Sequence, residues 1–381
     1  MKIKVLFLLI FITSNFAFSQ KTDTLTFYSH VFNETRSVYI QTPEFYKYQS
    51  DSVKLPVIYI LDGQREWFVN PLLSNIKYLQ YTHEIPNAIV VVIPHKNRNK
   101  EYGIKNVNEI QPLDKFITQE VDSIIKSYKP GGYKVIIGHS FSASFALYSY
   151  INHPDYYSAV ISNTPMDQLE VLLIKAEADA RVNKAGIFIS VGGVEKDEIH
   201  RKEYNRLKSK FHSLFDSINT FEAENSKHNA VPIVATPSFL TKMFLEFSDR
   251  HSEIAKVDTE YKLISKPSSI DDELAKILAA SKVGNFFYPP EVAEINGIAS
   301  RFSYNGYLTY ALKLYEMGTN YYPDYYRFYL SMYKLLLKDD LTKSKKYLEK
   351  AKYLLETMED NSSEKQETLK EIETEMKKNK W

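Results

Sequence analysis

The 381-residue sequence predicts an α/β fold, a mostly parallel sheet flanked by helices, followed by a small all-α helical-repeat region. Three observations predict it. Apolar-rich stretches at 55–61, 88–94, 135–137, 158–162 and 185–191, the first a continuous run, read as buried parallel strands. Stretches of helical periodicity lie between them, the alternation that right-handed βαβ crossovers require. Beyond Asp249 the strand-like runs stop, and from Tyr307 onward the text is helical and rich in tyrosine, leucine and lysine.

In chain order, Lys2 and Lys4 precede an apolar run at 5–12, and Ala17-Phe18-Ser19 supplies small residues where signal peptidase reads. Residues 1–19 are therefore expected to be a signal peptide, cleaved before Gln20. The apolar run is shorter than the ~20 residues a membrane span needs. Cysteine is absent, so neither a disulfide framework nor a lipidated cysteine is available. The expected product is soluble, in a periplasmic or extracellular space. Residues 24–27 and 36–41 alternate as antiparallel strands do, with Asn33-Glu34-Thr35 as their turn. The run 55–61 ends at Asp62-Gly63. A helix over 67–81, the strand 88–94 and a helix over 113–128 follow, the last closing at Lys129-Pro130-Gly131-Gly132. After the strand 135–137 a helix runs to about His153-Pro154, and a charged helix spans 167–182. Two further helices are expected over 204–215 and 237–247.

These elements place an α/β domain over 20–250, a linker over 251–281 around Lys266-Pro267-Ser268-Ser269, and a helical region over 282–381. Ala311, Tyr315, Gly318 and Pro323 recur loosely as Ser344, Leu348 and Ala351, at about the spacing of a tetratricopeptide repeat. So few repeats cannot bury a core alone and are expected to pack on the first domain. Residues 356–381 are strongly charged and read as a solvated helix or frayed tail. A net charge of +1 argues against a nucleic-acid or polyanion surface. Abundant tyrosine (29) and phenylalanine (22) with scarce glycine (12) fits helices and buried strands better than a turn-rich all-β protein.

The chemistry centres on Gly138-His139-Ser140-Phe141-Ser142-Ala143. A serine on the sharp turn between a buried strand and a helix is the nucleophile elbow of α/β-hydrolases, which lifts the hydroxyl above the sheet edge. The usual pattern is G-x-S-x-G. Ser142 stands at the second glycine, where crowding between strand and helix is expected. A serine hydrolase needs a base and an acid to orient it, in the order Ser, Asp/Glu, His. After the strand ending at Val191 comes Gly192-Gly193-Val194-Glu195-Lys196-Asp197-Glu198, where either Glu195 or Asp197 suits the acid. His228 is the histidine that follows in order; His200 and His212 read as part of a charged helix. Two backbone N–H groups should form an oxyanion hole, those of Phe141 and of Gln64 in the loop after 55–61. No metal-ligand spacing and no phosphate-binding glycine motif occurs, so no metal and no cofactor is expected.

With these residues in view, the chain resembles the putative-esterase family of α/β-hydrolases, which includes siderophore esterases, S-formylglutathione hydrolase and feruloyl esterases. The resemblance is carried by Ile60-Leu61-Asp62-Gly63-Gln64, the elbow, Asn163-Thr164-Pro165, Ser190-Val191-Gly192-Gly193-Val194-Glu195 and His228-Asn229-Ala230-Val231-Pro232. It implies Ser140 as nucleophile, Glu195 as acid and His228 as base, over about 24–247. Tyr288-Pro289-Pro290-Glu291, Asn296-Gly297 and Tyr322-Pro323 resemble exported bacterial members with a tetratricopeptide-like extension. Asn163-Thr164-Pro165-Met166 departs from the serine-proline usual at that wall.

The resulting expectation is an exported serine esterase acting on small-molecule esters, siderophore-type or otherwise bulky. A peptidase or acyltransferase would use the same triad. A different class of reading is a catalytically inactive hydrolase scaffold that binds a protein partner, or a second copy of itself, through the helical tail.

Overall fold

The computed structural model of the protein describes residues 22–193, 199–359 and 362–381. One 8-stranded sheet has the order β1-β2-β4-β3-β5-β6-β7-β8. β1 (Thr22–Ser29) and β2 (Glu34–Gln41) form an antiparallel hairpin, and β2 also pairs antiparallel with β4 (Ile89–Val92). From β4 the sheet is parallel through β3 (Leu55–Ile60), β5 (Pro130–His139), β6 (Ala159–Asn163), β7 (Ile187–Gly192) and β8 (Asn219–Ala223). All five apolar runs are strands, buried because helices cover both faces.

The period-2 alternation of a strand divides those runs between two cores. On one face Val57, Tyr59, Leu61 and Ile136 pack with Phe145 and Tyr148 of helix Phe141–Asn152. On the other, Ile58, Ile60, Val135 and Ile137 meet Phe68, Leu72 and Ile76 of helix Glu66–Tyr81 and Phe239 of helix Val231–Met243. β5 begins at Pro130, because the chain expected to close the preceding helix pairs Pro130 with Leu55. The helix expected over 113–128 is broken into Pro112–Lys115, a wide π turn Phe116–Val121, Asp122–Ile125 and a 3-10 turn Lys126–Tyr128. β8 was not expected. The helix expected over 237–247 starts earlier, at Val231.

Within the expected linker, Ile270–Ala280 is a helix, and Ile254 and Ile277 are buried. Helices Val292–Tyr304, Leu308–Tyr321, Tyr326–Leu336, Leu341–Thr357 and Ser363–Lys378 follow, each packed on the one before it or on its hairpin partner. Ile295, Ile298, Phe302, Leu314 and Phe328 form a third core, which Phe45 and Tyr48 of the α/β domain enter. Polar contacts reinforce this seam. The Ser50 N–H donates to Tyr321 O at 2.8 Å, and Glu291 accepts the Asn87 N–H at 2.8 Å and pairs with His83 Nδ1 at 3.0 Å. Arg250 pairs with Glu294 at 2.6 Å, and His251 Nδ1 lies 2.8 Å from the same carboxylate. Burial opposes ionisation of Glu294, but these two neighbours hold its pKa down at about 2. Among the described residues no helix is long and apolar enough to cross a membrane.

Candidate functional site

β5 delivers His139 to the C-terminal edge of the sheet, and the chain turns there into helix Phe141–Asn152. Ser140 takes the turn at φ 60°, in the left-handed region that costs a non-glycine residue on the order of 1–3 kcal/mol. The surroundings over-determine it. The Ser140 N–H donates to Asn163 O at 2.8 Å, and Ser140 O accepts from the N–H groups of Ala143 (3.0 Å) and Ser144 (3.2 Å). The Ser140 side chain makes no capping bond to the helix it precedes. Gly138 is required for closeness. A Cβ there would lie 2.2 Å from Ser142 O.

The crowding expected at Ser142 is absent, because the close approach falls on Gly138 and the Ser142 backbone. The Ser142 hydroxyl instead occupies a polar niche. It lies 2.6 Å from Asp62 Oδ2 and accepts the His139 N–H at 2.9 Å. Asp62 is wholly buried and takes Arg98 bidentately, Nε at 3.0 Å and Nη2 at 3.1 Å. Arg98 Nη2 also donates to His139 O at 3.1 Å. Short helix Arg98–Tyr102, capped by Asn97, carries this arginine. Nothing local in the sequence marks the network, since Ser142 and Asp62 are separated by 80 positions.

Asn163, expected at a wall of the site, is buried behind the turn. Its Nδ2 donates to Gly138 O (3.3 Å) and Thr236 Oγ1 (3.0 Å), and its Oδ1 accepts from Ser190 Oγ at 2.7 Å. It braces the elbow. Met166, three residues beyond the end of β6, is 38% exposed.

His228 opens the short turn His228–Ala230 after β8. Gly192 and Gly193 let that segment close on β7. A Cβ on Gly192 would meet Ser226 O at 2.7 Å, one on Gly193 would meet Glu224 Cα at 2.3 Å, and the Gly193 N–H donates to Ser226 O at 3.2 Å. The His228 ring consequently lies against His139, centroids 4.7 Å apart and tilted by 45°. His139 Nε2 is 3.2 Å from His228 O; a carbonyl only accepts, so this nitrogen carries the proton. Burial, then the neighbouring His228, push the His139 pKa down to about 3, which keeps its ring neutral. On its other side His228 packs against His200, centroids 4.1 Å apart. His200, read from sequence as part of a charged helix, sits in the first turn of helix Ile199–Lys210, beside the site. Trp67 and Phe68 approach His139 at 5.8 and 5.7 Å.

In the loop after β3, the Asp62 N–H donates to Tyr102 OH (2.8 Å), the Gly63 N–H to Ile93 O (3.0 Å) and the Arg65 N–H to Asp62 O (2.8 Å). The Gln64 N–H makes no hydrogen bond among the described residues, nor does that of Phe141. The Gln64 side chain engages His95, whose N–H donates to Gln64 Oε1 at 3.1 Å. Glu195 and Asp197, the alternative acids, lie outside the described residues. No group of three or more His, Cys, Asp or Glu side chains is arranged to hold a metal ion among the described residues. A cleft of about 230 Å³ lined by Tyr48, Tyr325 and Met358 lies at the seam with the helical region and shares no lining residue with the elbow.

The putative-esterase family model matches residues 29–208. An uncharacterized Bacillus subtilis protein, YjcH, is 23% identical over 188 residues, 48% of this chain and 76% of that protein. Among solved structures, an IroE-like serine hydrolase from Shewanella oneidensis is similar at a TM-score of 0.59 and 17% identity, over 79% of this chain and 99% of its own. An uncharacterised protein from Capnocytophaga ochracea has a TM-score of 0.55 at 14% identity, over 93% of this chain and all of its own. These likenesses extend the shared fold beyond the α/β domain into the helical region.

Proposed function

With residues 29–208 assigned to the putative-esterase family, we propose that the protein hydrolyses carboxylic esters through Ser140 and His228. The observation that carries the reading is Ser140 at φ 60°, half-buried at the sheet edge, with His228 packed against the adjacent His139. Ser140 Oγ attacks the ester carbonyl carbon as His228 takes its proton, and a C–O bond forms. The oxyanion is received by the Phe141 and Gln64 N–H groups, neither of which is committed to a hydrogen bond among the described residues. Collapse breaks the bond to the alcohol, which leaves with the proton from His228. Water, activated by the same ring, then releases the carboxylic acid and frees Ser140. Glu195 is the proposed orienting acid, with Asp197 its alternative.

Exposed apolar side chains support a bulky substrate. Trp67, Met166, Ile199, Ile233 and Val234 each follow a parallel strand's C-terminal end, and each is at least 38% exposed. Siderophore-type esters lead the screen because the motif family includes their hydrolases. We also read residues 1–19, outside the described residues, as an export signal, and the C-terminal helices as tetratricopeptide-like.

The test is hydrolysis of p-nitrophenyl acetate and butyrate by residues 20–381. Ser140→Ala and His228→Ala should each lower kcat by roughly 10⁶-fold, and Glu195→Ala by about 10⁴-fold with Asp197→Ala far milder. A parent protein that neither hydrolyses these esters nor labels with a fluorophosphonate refutes the proposal.

A further inference from the structure

We infer that Ser142 is a positioning residue for the reaction, its hydroxyl locking the turn that carries Ser140 to the loop that carries the Gln64 N–H. The inference rests on the serine-hydrolase reading above and adds to it a residue outside the triad.

Proton accounting fixes the direction of the bonds. Ser142 Oγ lies 2.6 Å from Asp62 Oδ2 and 3.0 Å from His139 O. The hydroxyl has one proton to give. His139 O already accepts from Arg98 Nη2 at 3.1 Å, and the carboxylate is both nearer and charged, so Asp62 takes it. The Ser142 lone pair then receives the His139 N–H at 2.9 Å. Residue 139 is thereby gripped at both ends of its backbone, and both grips converge on one carboxylate.

That carboxylate belongs to the loop in question. Asp62 sits at φ 58°, two residues before Gln64, with its own N–H on Tyr102. Elbow and loop are thus joined twice, through Arg98 and through Ser142. The two links differ in stiffness. Arg98 is a long chain, 20% exposed, whereas Ser142 is wholly buried and has a single side-chain torsion. The short link sets the separation between Ser140 Oγ and the Gln64 N–H, which matters most as charge develops on the substrate oxygen. Charge does not count against the device, because Arg98 pairs the Asp62 carboxylate.

Ser142→Ala keeps the size and helix preference and removes the hydroxyl. Ser142→Gly removes it with different local packing. In both, kcat for p-nitrophenyl acetate should fall about tenfold or more with KM within twofold, as loss of a buried charge-assisted bond predicts. Hydrogen–deuterium exchange should rise together in peptides covering 60–66 and 138–143, although only residue 142 has changed. Active-site titration with a fluorophosphonate reads the folded fraction, so kcat refers to competent enzyme. An active parent whose two variants keep kcat within twofold, or whose exchange rises only at 138–143, overturns the inference. A parent that neither turns over nor labels overturns the hydrolase reading itself, and the positioning role with it.

Discussion

Gly138→Ala tests the elbow at its tightest point. The added Cβ would lie 2.2 Å from Ser142 O, 2.5 Å from Ser142 C and 2.8 Å from Ala143 N. All three are backbone atoms, so no side chain can swing aside. Ordinary contact begins at 3.4 Å, and the turn would have to open by more than an ångström. Opening it pulls on the Ser140 N–H bond to Asn163 O and the Asn163 Nδ2 bond to Gly138 O, at 2.8 and 3.3 Å. Overpacking costs about 1–3 kcal/mol and a lost bond about 1 kcal/mol more, for roughly 2–4 kcal/mol together. In a domain of this size that lowers Tm by on the order of 5–15 °C. Displacing a nucleophile by an ångström costs about 100-fold in rate. The assay is thermal unfolding by circular dichroism beside kcat for p-nitrophenyl acetate, normalised to the fluorophosphonate-reactive fraction. A variant within 2 °C of the parent and within threefold in kcat would refute the close-approach reasoning.

Other outcomes follow from the same contacts. Arg98→Met leaves the Asp62 carboxylate buried without its bidentate partner and should destabilise the protein by about 3–5 kcal/mol, read from urea unfolding. The hydrogen bond His83 donates to the Glu291 carboxylate, against a smaller effect of burial, raises the His83 pKa. Its stabilisation is therefore complete below the ordinary histidine value of about 6.5 and fades as pH climbs through the raised one. Urea midpoints of the parent and His83→Gln should differ at pH 6 and converge by pH 9; a constant gap would count against this linkage. Ending the chain at Ser269 strips the cover from Tyr48 and breaks the Arg250–Glu294 pair, so the truncated protein should aggregate or unfold. A truncation that stays soluble with parental kinetics would show the helical region to be dispensable.

The sheet was legible because its central strands are buried on both faces and so read as unbroken apolar runs. β8 escaped because it is an edge strand. Only Ala223 of Asn219–Ala223 is fully buried, and Glu222 points to Arg201 and Lys208, so no run forms. The elbow was legible as a spacing, since one glycine and one serine two residues apart encode the whole turn. Its supports were not. Asp62, Arg98 and Ser142 meet only after β3, β4 and β5 come together, and His200 looks like one more polar residue until its ring lies on His228. Chemistry carried by neighbours along the chain shows in the text, and chemistry carried across the sheet does not.

Phe45 and Tyr48, between β2 and β3, lie in the core of the C-terminal helices. A ribosome makes these aromatic rings well before it makes their shelter. Until the helices beyond Val292 have been synthesised, the nascent chain carries an uncovered aromatic patch beside an otherwise completable sheet. Closure of that segment therefore waits for residues 292–328, and a chain stopped before Phe328 should be recognised by quality-control proteases through that patch.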